Sequence, residues 1–426
     1  MTTRHAAAAG GRGPIVVPPP SPEPGAARAA DALPLAAVRV VHVTTVPMSL
    51  STHLAGQVSY VRGLGGEVHV IASPGPELEE FGSREHVSVH GVPMIRAITP
   101  SRDLVALWRL WRTLRRLRPE IVHSHTPKGG LLGMLAATLA GTPVRVYHIR
   151  GLPFVTSTGP RRALLRATEW ISCHLAHRVL AVSGSMRGLA IAEGFCPPEK
   201  IAVPAWGSGN GVDAAGRFRP QPALVRAQAR ARCGLPRDAL VVGFLGRLSR
   251  DKGIVELAEA WRLVRERHPD ARLILVGWNE MAGVGPEVER ALRGDPSVHF
   301  TGPVKDTVPL YAAMDLVALP TYREGFPNVA LEAAAMGLPI IATRVPGCVD
   351  AVEDGVTGLL VEARDARGLA DALERYLSDP ALRARHGEAA RRRALSRFSP
   401  GVIWEAVVHE YRSLLAGREG ARPCAG

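Results

Sequence analysis

Long apolar runs, cysteine and lysine are all scarce in this chain of 426 residues. The longest apolar stretches, such as Leu131 to Leu139, fall well short of the roughly 20 residues that a membrane-spanning helix needs. Five cysteines, an odd number with no C-x-x-C pair, do not make a disulfide framework, and a reducing cytoplasm is the simplest home. Only Lys128, Lys200, Lys252 and Lys305 are lysine, so the net charge of +13 is built from arginine. No recognised nucleic-acid-binding motif accompanies that charge, which sets nucleic acid aside as a partner. No internal repeat of solenoid period is visible either.

What is present suits soluble globular domains: 46% of the residues are hydrophobic, and the length allows two domains with a core each. The first 36 residues stand apart. Ala, Gly, Pro and Arg dominate them, and P-P-P-S-P-E-P at Pro18 to Pro24 cannot form a regular hydrogen-bonded element. Ile15 to Val17 is too short for the apolar core of a signal peptide. Residues 1–36 are therefore read as a disordered arm, and 417–426 as a disordered tail.

From Val38 onward strand and helix patterns alternate. Val38 to Val43, Val68 to Ile71, Val87 to Val92, Ile121 to His123, Val144 to Tyr147, Val179 to Val182 and Ile201 to Val203 read as strands. Helices are predicted between them, among them Leu104 to Leu117, Leu131 to Ala140 and Arg162 to Ala176. A Pro- and Arg-rich stretch follows, and the pattern restarts with strands at Leu240 to Leu245, Arg272 to Val276, Val298 to Thr301, Leu316 to Leu319, Ile340 to Ala342 and Gly358 to Val361. Alternating βα units predict parallel, doubly wound sheets. The fold expected is α/β, with two doubly wound Rossmann-like domains at 37–217 and 238–397, a linker at 218–237, and a cleft between the sheet edges. The final helix, 398–416, carries Trp404, Val408 and Tyr411 at helical spacing.

Glu324 and Glu332 stand eight residues apart in E-G-F-P-N-V-A-L-E. At about 100° per residue, that spacing on a helix puts both carboxylates on one face, two turns apart. The preceding Asp315 to Pro320 reads as a strand, and Gly325 and Pro327 mark the turn into a helix from Asn328 to Met336. The pair thus belongs at the carboxyl end of a strand and on the helix behind it, where open α/β sheets bind ligands. Arg247 and Lys252 follow another strand end, between Gly246 and Gly253. A guanidinium fork and a compact ammonium there both match phosphate oxygens.

These segments resemble the retaining glycosyltransferases of family 4, which have the two-domain GT-B fold. The likeness rests on G-R-L-S-R-D-K-G from Gly246 to Gly253, P-T-Y-R-E-G-F-P-N-V-A-L-E from Pro320 to Glu332, and E-A-A-A-M-G-L-P-I-I-A-T ending at Thr343. The first half resembles the branch that builds bacterial polysaccharides and lipid-linked oligosaccharides. H-S-H-T-P-K from His123, H-I-R-G-L-P-F from His148 and G-S-G-N-G-V-D at Gly207 to Asp213 carry that second likeness. Together the resemblance covers roughly Val38 to Leu415.

The resemblance implies a donor site made of Gly246, Arg247, Lys252, Glu324, Gly325, Phe326, Asn328 and Glu332. Glu332 would hold the ribose and Glu324 the donor sugar, and Gly325 would let the backbone approach the ligand. Arg247 and Lys252 would offset charge on the departing diphosphate. The base would fall near Gly277 to Glu280 and Gly302 to Lys305. His148, at the end of its strand, would sit by the anomeric carbon as a catalytic group. His125, Lys128 and Arg150 are expected on the acceptor side, His123 is expected to be structural, and the last helix would pack back on the first domain. No D-x-D pattern of the other large glycosyltransferase fold is present and no His/Cys cluster has ligand spacing. A metal-independent reaction with no cofactor is therefore expected. Ser183 and Ser185 follow a strand but show no base partner, which leaves out a serine nucleophile.

Leu104 to Arg118 interleaves Leu104, Leu107, Trp108 and Trp111 with Arg109, Arg112, Arg115, Arg116 and Arg118. Such a helix suits either peripheral contact with an anionic membrane, at the inner face of the cell membrane, or packing on a sheet with its arginines solvated. The expected activity is transfer of a sugar from a nucleotide-diphosphate sugar, UDP-linked, to a glycan or lipid-linked acceptor. A nucleotide-sugar 2-epimerase of the same fold is the alternative. A non-catalytic nucleotide-sugar-binding subunit is a third reading, opposed by the presence of Arg247, Lys252, Glu324 and Glu332 together.

Overall fold

The computed structural model describes residues 35–419. The expected arm 1–36 and tail 417–426 lie outside those residues except at their inner edges. The first sheet comprises β1 (Arg39–Val43), β2 (Glu67–Ala72), β3 (Ser88–Gly91), β4 (Ile121–His125), β5 (Val144–Ile149), β6 (Arg178–Ala181) and β7 (Ile201–Ala202). The second comprises β8 (Val241–Leu245), β9 (Arg272–Val276), β10 (Val298–Gly302), β11 (Leu316–Leu319), β12 (Ile340–Thr343) and β13 (Gly358–Val361). The strand orders are 3-2-1-4-5-6-7 and 10-9-8-11-12-13, and every pairing is parallel. In each sheet the order reverses beside the first strand, between β1 and β4 and between β8 and β11. Crevices at the carboxyl ends of strands open at such switch points.

Both sheets are covered on two faces, as parallel sheets require. In the first domain one apolar layer gathers around Val41, Leu110, Leu114 and Phe154 and the other around Val40, Leu54, Phe81 and Tyr411. In the second, one gathers around Val241, Tyr311 and Phe398 and the other around Phe244, Trp261 and Tyr376. β4 is an exception to the apolar rule: Ile-Val-His-Ser-His is buried at all five positions.

Two strands run past their predicted ends, β4 to His125 and β5 to Ile149. The interval 218–237, read as the linker, contains a helix, Ala223–Arg232. Alanine and arginine are strong helix formers, and this helix is anchored. Arg226 and Arg230 both bind Asp315, at 2.6 and 2.8 Å, just before β11.

The last helix, Pro400–Glu419, lies on the first domain. Val407, Val408 and Tyr411 join the apolar layer of β1, β2 and β4. Arg178 pairs with Glu410 at 2.7 Å, and the Trp404 indole N–H donates to Asn210 at 2.7 Å. The helix Pro100–Leu117 buries Ala106, Leu110 and Leu114 against the sheet. Its first turns leave Leu104 and Trp108 68% and 52% exposed, so packing accounts for only one of its apolar stripes.

Candidate active site

The loop after β8 is held to the end of β11 by a backbone contact that only glycine permits. Gly253 has φ +72°, and a Cβ there would lie 1.9 Å from the Pro320 carbonyl oxygen. That contact brings Lys252 to Glu324, with which it forms an ion pair. Arg247, on the same loop, pairs with Asp251 at 2.8 Å and with Glu280 at 2.6 Å.

The two glutamates do not share a helical face. The helix starts at Asn328, so Glu324 lies in the loop before it, because Gly325 and Pro327 delay the first turn. Glu332, on the helix, accepts a hydrogen bond from the buried Tyr311 hydroxyl at 2.8 Å. Burial pushes its carboxyl up to about 7, against the opposing pull of that hydrogen bond and of Arg217. The residue as a whole is half-buried; its carboxyl is the end that meets the buried tyrosine.

A cavity of about 240 Å³ lies between the domains. The second domain lines it with Gly246, Lys252, Glu324, Gly325, Phe326 and Asn328, and the first with His53, Arg150 and Gly209. An adjoining cavity of about 130 Å³ brings Arg247, Asp251 and Arg323 beside Arg150, Lys252 and Glu324. Gly325 lines both cavities and also meets the other domain directly. A Cβ there would sit 2.0 Å from the Arg150 carbonyl oxygen, so the glycine lets the other domain's backbone approach. Ser183 and Ser185 serve the same junction. The Ser183 hydroxyl donates to the Gly325 carbonyl at 2.9 Å, and Ser185 binds Asp350 and accepts from the Gly347 N–H at 2.8 Å.

His148 does not line either cavity. β5 runs two residues further than predicted, which leaves His148 inside the sheet at 1% exposure. The first residue past the strand, Arg150, reaches the cleft instead. His148 belongs to a buried layer with His42, His123 and His125; His42 lies beside His123, and His125 beside His148, in strand register. His123 and His148 stack 5.3 Å apart with rings nearly parallel at 2°, and His123 Nδ1 lies 2.5 Å from the Tyr411 hydroxyl.

His42, His123 and His125 bring three ring nitrogens close enough to share a cation, a cluster built across strands that spacing along the chain did not show. Hydrogen bonds fix its protons. Arg150 Nε and Nη2 reach His125 Nδ1 at 3.3 and 3.2 Å. A guanidinium only donates, so Nδ1 accepts, and the neutral His125 ring carries its proton on Nε2. That nitrogen faces His42 Nδ1 at 3.0 Å, which leaves the His42 proton on Nε2 as well. As placed, neither ring has a lone pair left for a metal.

Lys128 lies in the first turn of the helix Pro127–Leu139 and pairs with Asp103 at 2.7 Å. It borders a larger cavity of about 730 Å³ lined mostly by the first domain, where Arg96, Arg161 and, from the second domain, Arg323 converge over a wall of Val46, Ile98, Leu131, Leu132 and Leu164. Sequence reasoning missed His53, Arg323 and Tyr311. His53 had a signal, since it lies beyond the carboxyl end of β1, beside the switch point; Tyr311 had none, because only the fold brings it to Glu332.

A profile described as "Glycosyl transferases group 1" matches residues 239–379, and one described as "Glycosyl transferase 4-like domain" matches residues 49–206. The capsular polysaccharide biosynthesis glycosyltransferase CapM of Staphylococcus aureus is 32% identical over 383 residues, 90% of this chain and 99% of CapM. An Escherichia coli UDP-Gal:alpha-D-GlcNAc-diphosphoundecaprenol alpha-1,3-galactosyltransferase is 29% identical over 68% of this chain and 74% of that one. Among solved structures, Anabaena HepE in complex with UDP and glucose superposes with a TM-score of 0.74 at 22% identity, covering 88% of this chain and all of HepE. Two parallel Rossmann-like domains facing a shared cleft define a GT-B protein. The chain belongs to the family-4 glycosyltransferases, and it is a glycosyltransferase.

Proposed function

We propose that the protein transfers a sugar from a UDP-sugar, with retention, to a lipid-linked acceptor in bacterial polysaccharide synthesis. The observation that carries this reading is the cleft itself, where Lys252, Glu324 and Gly325 of one domain face Arg150 of the other across a single cavity. A nucleoside diphosphate bound there would meet cations from both domains, placed to stabilise charge on the leaving group. The uridine assignment leans on HepE, which was crystallised with UDP.

The acceptor reading leans on the larger cavity. Arg96, Lys128, Arg161 and Arg323 beside an aliphatic wall suit an anionic head joined to an apolar chain, such as the diphosphate lipid that the Escherichia coli relative's name specifies. The exposed Leu104 and Trp108 follow Asp103 at its edge, which favours an approach to the acceptor at a membrane surface. Retention fits a reaction on one face of the sugar, the departing phosphate taking the acceptor proton, with no obligatory protein base. The relatives above are transferases, so the 2-epimerase reading is not favoured.

A panel of nucleotide sugars tested by thermal shift or calorimetry checks the donor. UDP-sugars should bind and other nucleotide sugars should bind more weakly. Transfer should persist in EDTA; loss restored by Mn²⁺ or Mg²⁺ would refute the metal-independent reading. An NMR coupling constant showing a β-linkage from an α-linked donor would overturn retention.

A further inference from the structure

Arg150 is a half-buried cation whose surroundings leave it short of a counter-charge. Its Nη1 donates to the Gly209 carbonyl at 2.6 Å, and its Nε and Nη2 point at His125 Nδ1. Among the described residues no carboxylate pairs with it, and burial pulls the guanidinium down to about 9. Behind it the donor direction is fixed, running from Arg150 to His125 and from His125 to His42. Both rings are fully buried. Burial, and then the Arg150 charge, hold His42 down at about 3; burial, His123 and then Arg150 hold His125 well below its ordinary range. The rings therefore stay neutral and the direction does not reverse.

We infer that His125, braced by His42, is a positioning residue for Arg150. Its Nδ1 lone pair ties down two of the guanidinium nitrogens and holds the cation beside Lys252 and Glu324, facing an anionic group of the donor. The inference rests on the donor reading above. It assigns to β1 and β4 a part in donor binding that does not require either histidine to touch the ligand. It also accounts for a polar row inside a sheet where apolar residues are the rule.

The test turns on which ring nitrogen matters. In His125→Asn the amide oxygen can occupy the place of Nδ1, whereas in His125→Gln the amide reaches the place of Nε2. UDP affinity and turnover should fall roughly tenfold or more in His125→Gln and His125→Ala, the loss of one charged hydrogen bond. His125→Asn should stay within about threefold of wild type. Equal losses in Asn and Gln, or no loss in either, would overturn the inference.

A second readout is independent of activity. In the full-length chain with ¹⁵N-labelled histidine, two-bond ¹H–¹⁵N correlations should show His125 protonated at Nε2 alone, and Arg150→Ala should release a mixture of tautomers. A proton on Nδ1 in the wild-type protein would sink the arrangement whatever the ligand. If the wild-type protein binds no UDP, the donor reading fails, while the tautomer measurement still decides the network.

Discussion

The ribose-binding role that the family resemblance implies for Glu332 would fall on a carboxyl that titrates in the neutral range. An ionised carboxylate accepts from ribose hydroxyls more strongly than the protonated acid does, and burial has raised this one to about 7. Nucleotide affinity should therefore rise with pH through about 7 and fall below it, and Glu332→Gln should bind weakly with a flat profile. Calorimetry with UDP between pH 5.5 and 8.5 checks this. Stability runs the other way: with the folded pKa above the ordinary 4.5, the site's contribution is complete below that value and is lost as pH rises through about 7. His148 poses the opposite case. Both its ring nitrogens are buried without a partner, and an apolar residue of similar volume removes that penalty. His148→Leu should keep or raise the melting temperature and leave UDP affinity unchanged. A hundredfold fall in turnover with intact UDP binding would instead restore the catalytic role first expected of it.

At the scale of elements, the helix Pro100–Leu117 packs on the sheet as one of its two sequence readings expects, and its membrane reading is open to a direct test. Its buried stripe packs on the sheet, and its exposed Leu104 and Trp108 stand among Arg109 and Arg112. The protein should sediment with vesicles of anionic phospholipid at low salt, and less as salt screens the arginines. Trp108→Asp should weaken that binding roughly tenfold or more, the loss of one buried apolar side chain. Equal binding to neutral vesicles would refute an electrostatic component. The strands were legible because buried parallel strands read as runs of Val, Ile and Leu. The donor loops were legible because glycine marks where backbones must approach. The helix Ala223–Arg232 was not, since prolines flank it and its anchor, Asp315, lies far along the chain. The histidine layer was hidden for a similar reason: its members come from three strands, and periodicity within one strand carries no information about its neighbours. The end of β5 was misjudged at Tyr147, because histidine in a strand centre resembles a boundary.

For the molecule as a whole, the domains are tied at the cleft and on the far side as well as by the linker. At the cleft, Ser183 and Ser185 bind the second domain's Gly325, Gly347 and Asp350. On the far side the last helix crosses over and covers the sheet of the first domain. Ending the chain at Arg397 would uncover the surface beneath Val407, Val408 and Tyr411. At about 1.5–3 kcal/mol for each of the three buried side chains the loss is roughly 5–9 kcal/mol, a large share of a domain's stability. The shortened protein should melt about 10 °C lower or more, with proteolysis beginning in the first domain. Tyr411→Phe, which keeps the packing, should shift the melting temperature far less. An unchanged melting temperature in the shortened chain would show the helix to be dispensable.

That crossing also sets an order of events during synthesis. The strands of the first domain leave the ribosome before residue 217, but Tyr411, which caps their histidine row, follows roughly two hundred residues later. At 5–20 residues per second, the interval is about 10–40 s. Throughout it the nascent domain carries an uncovered face of valine and histidine, which a chaperone or the growing second domain must shield until the last helix arrives.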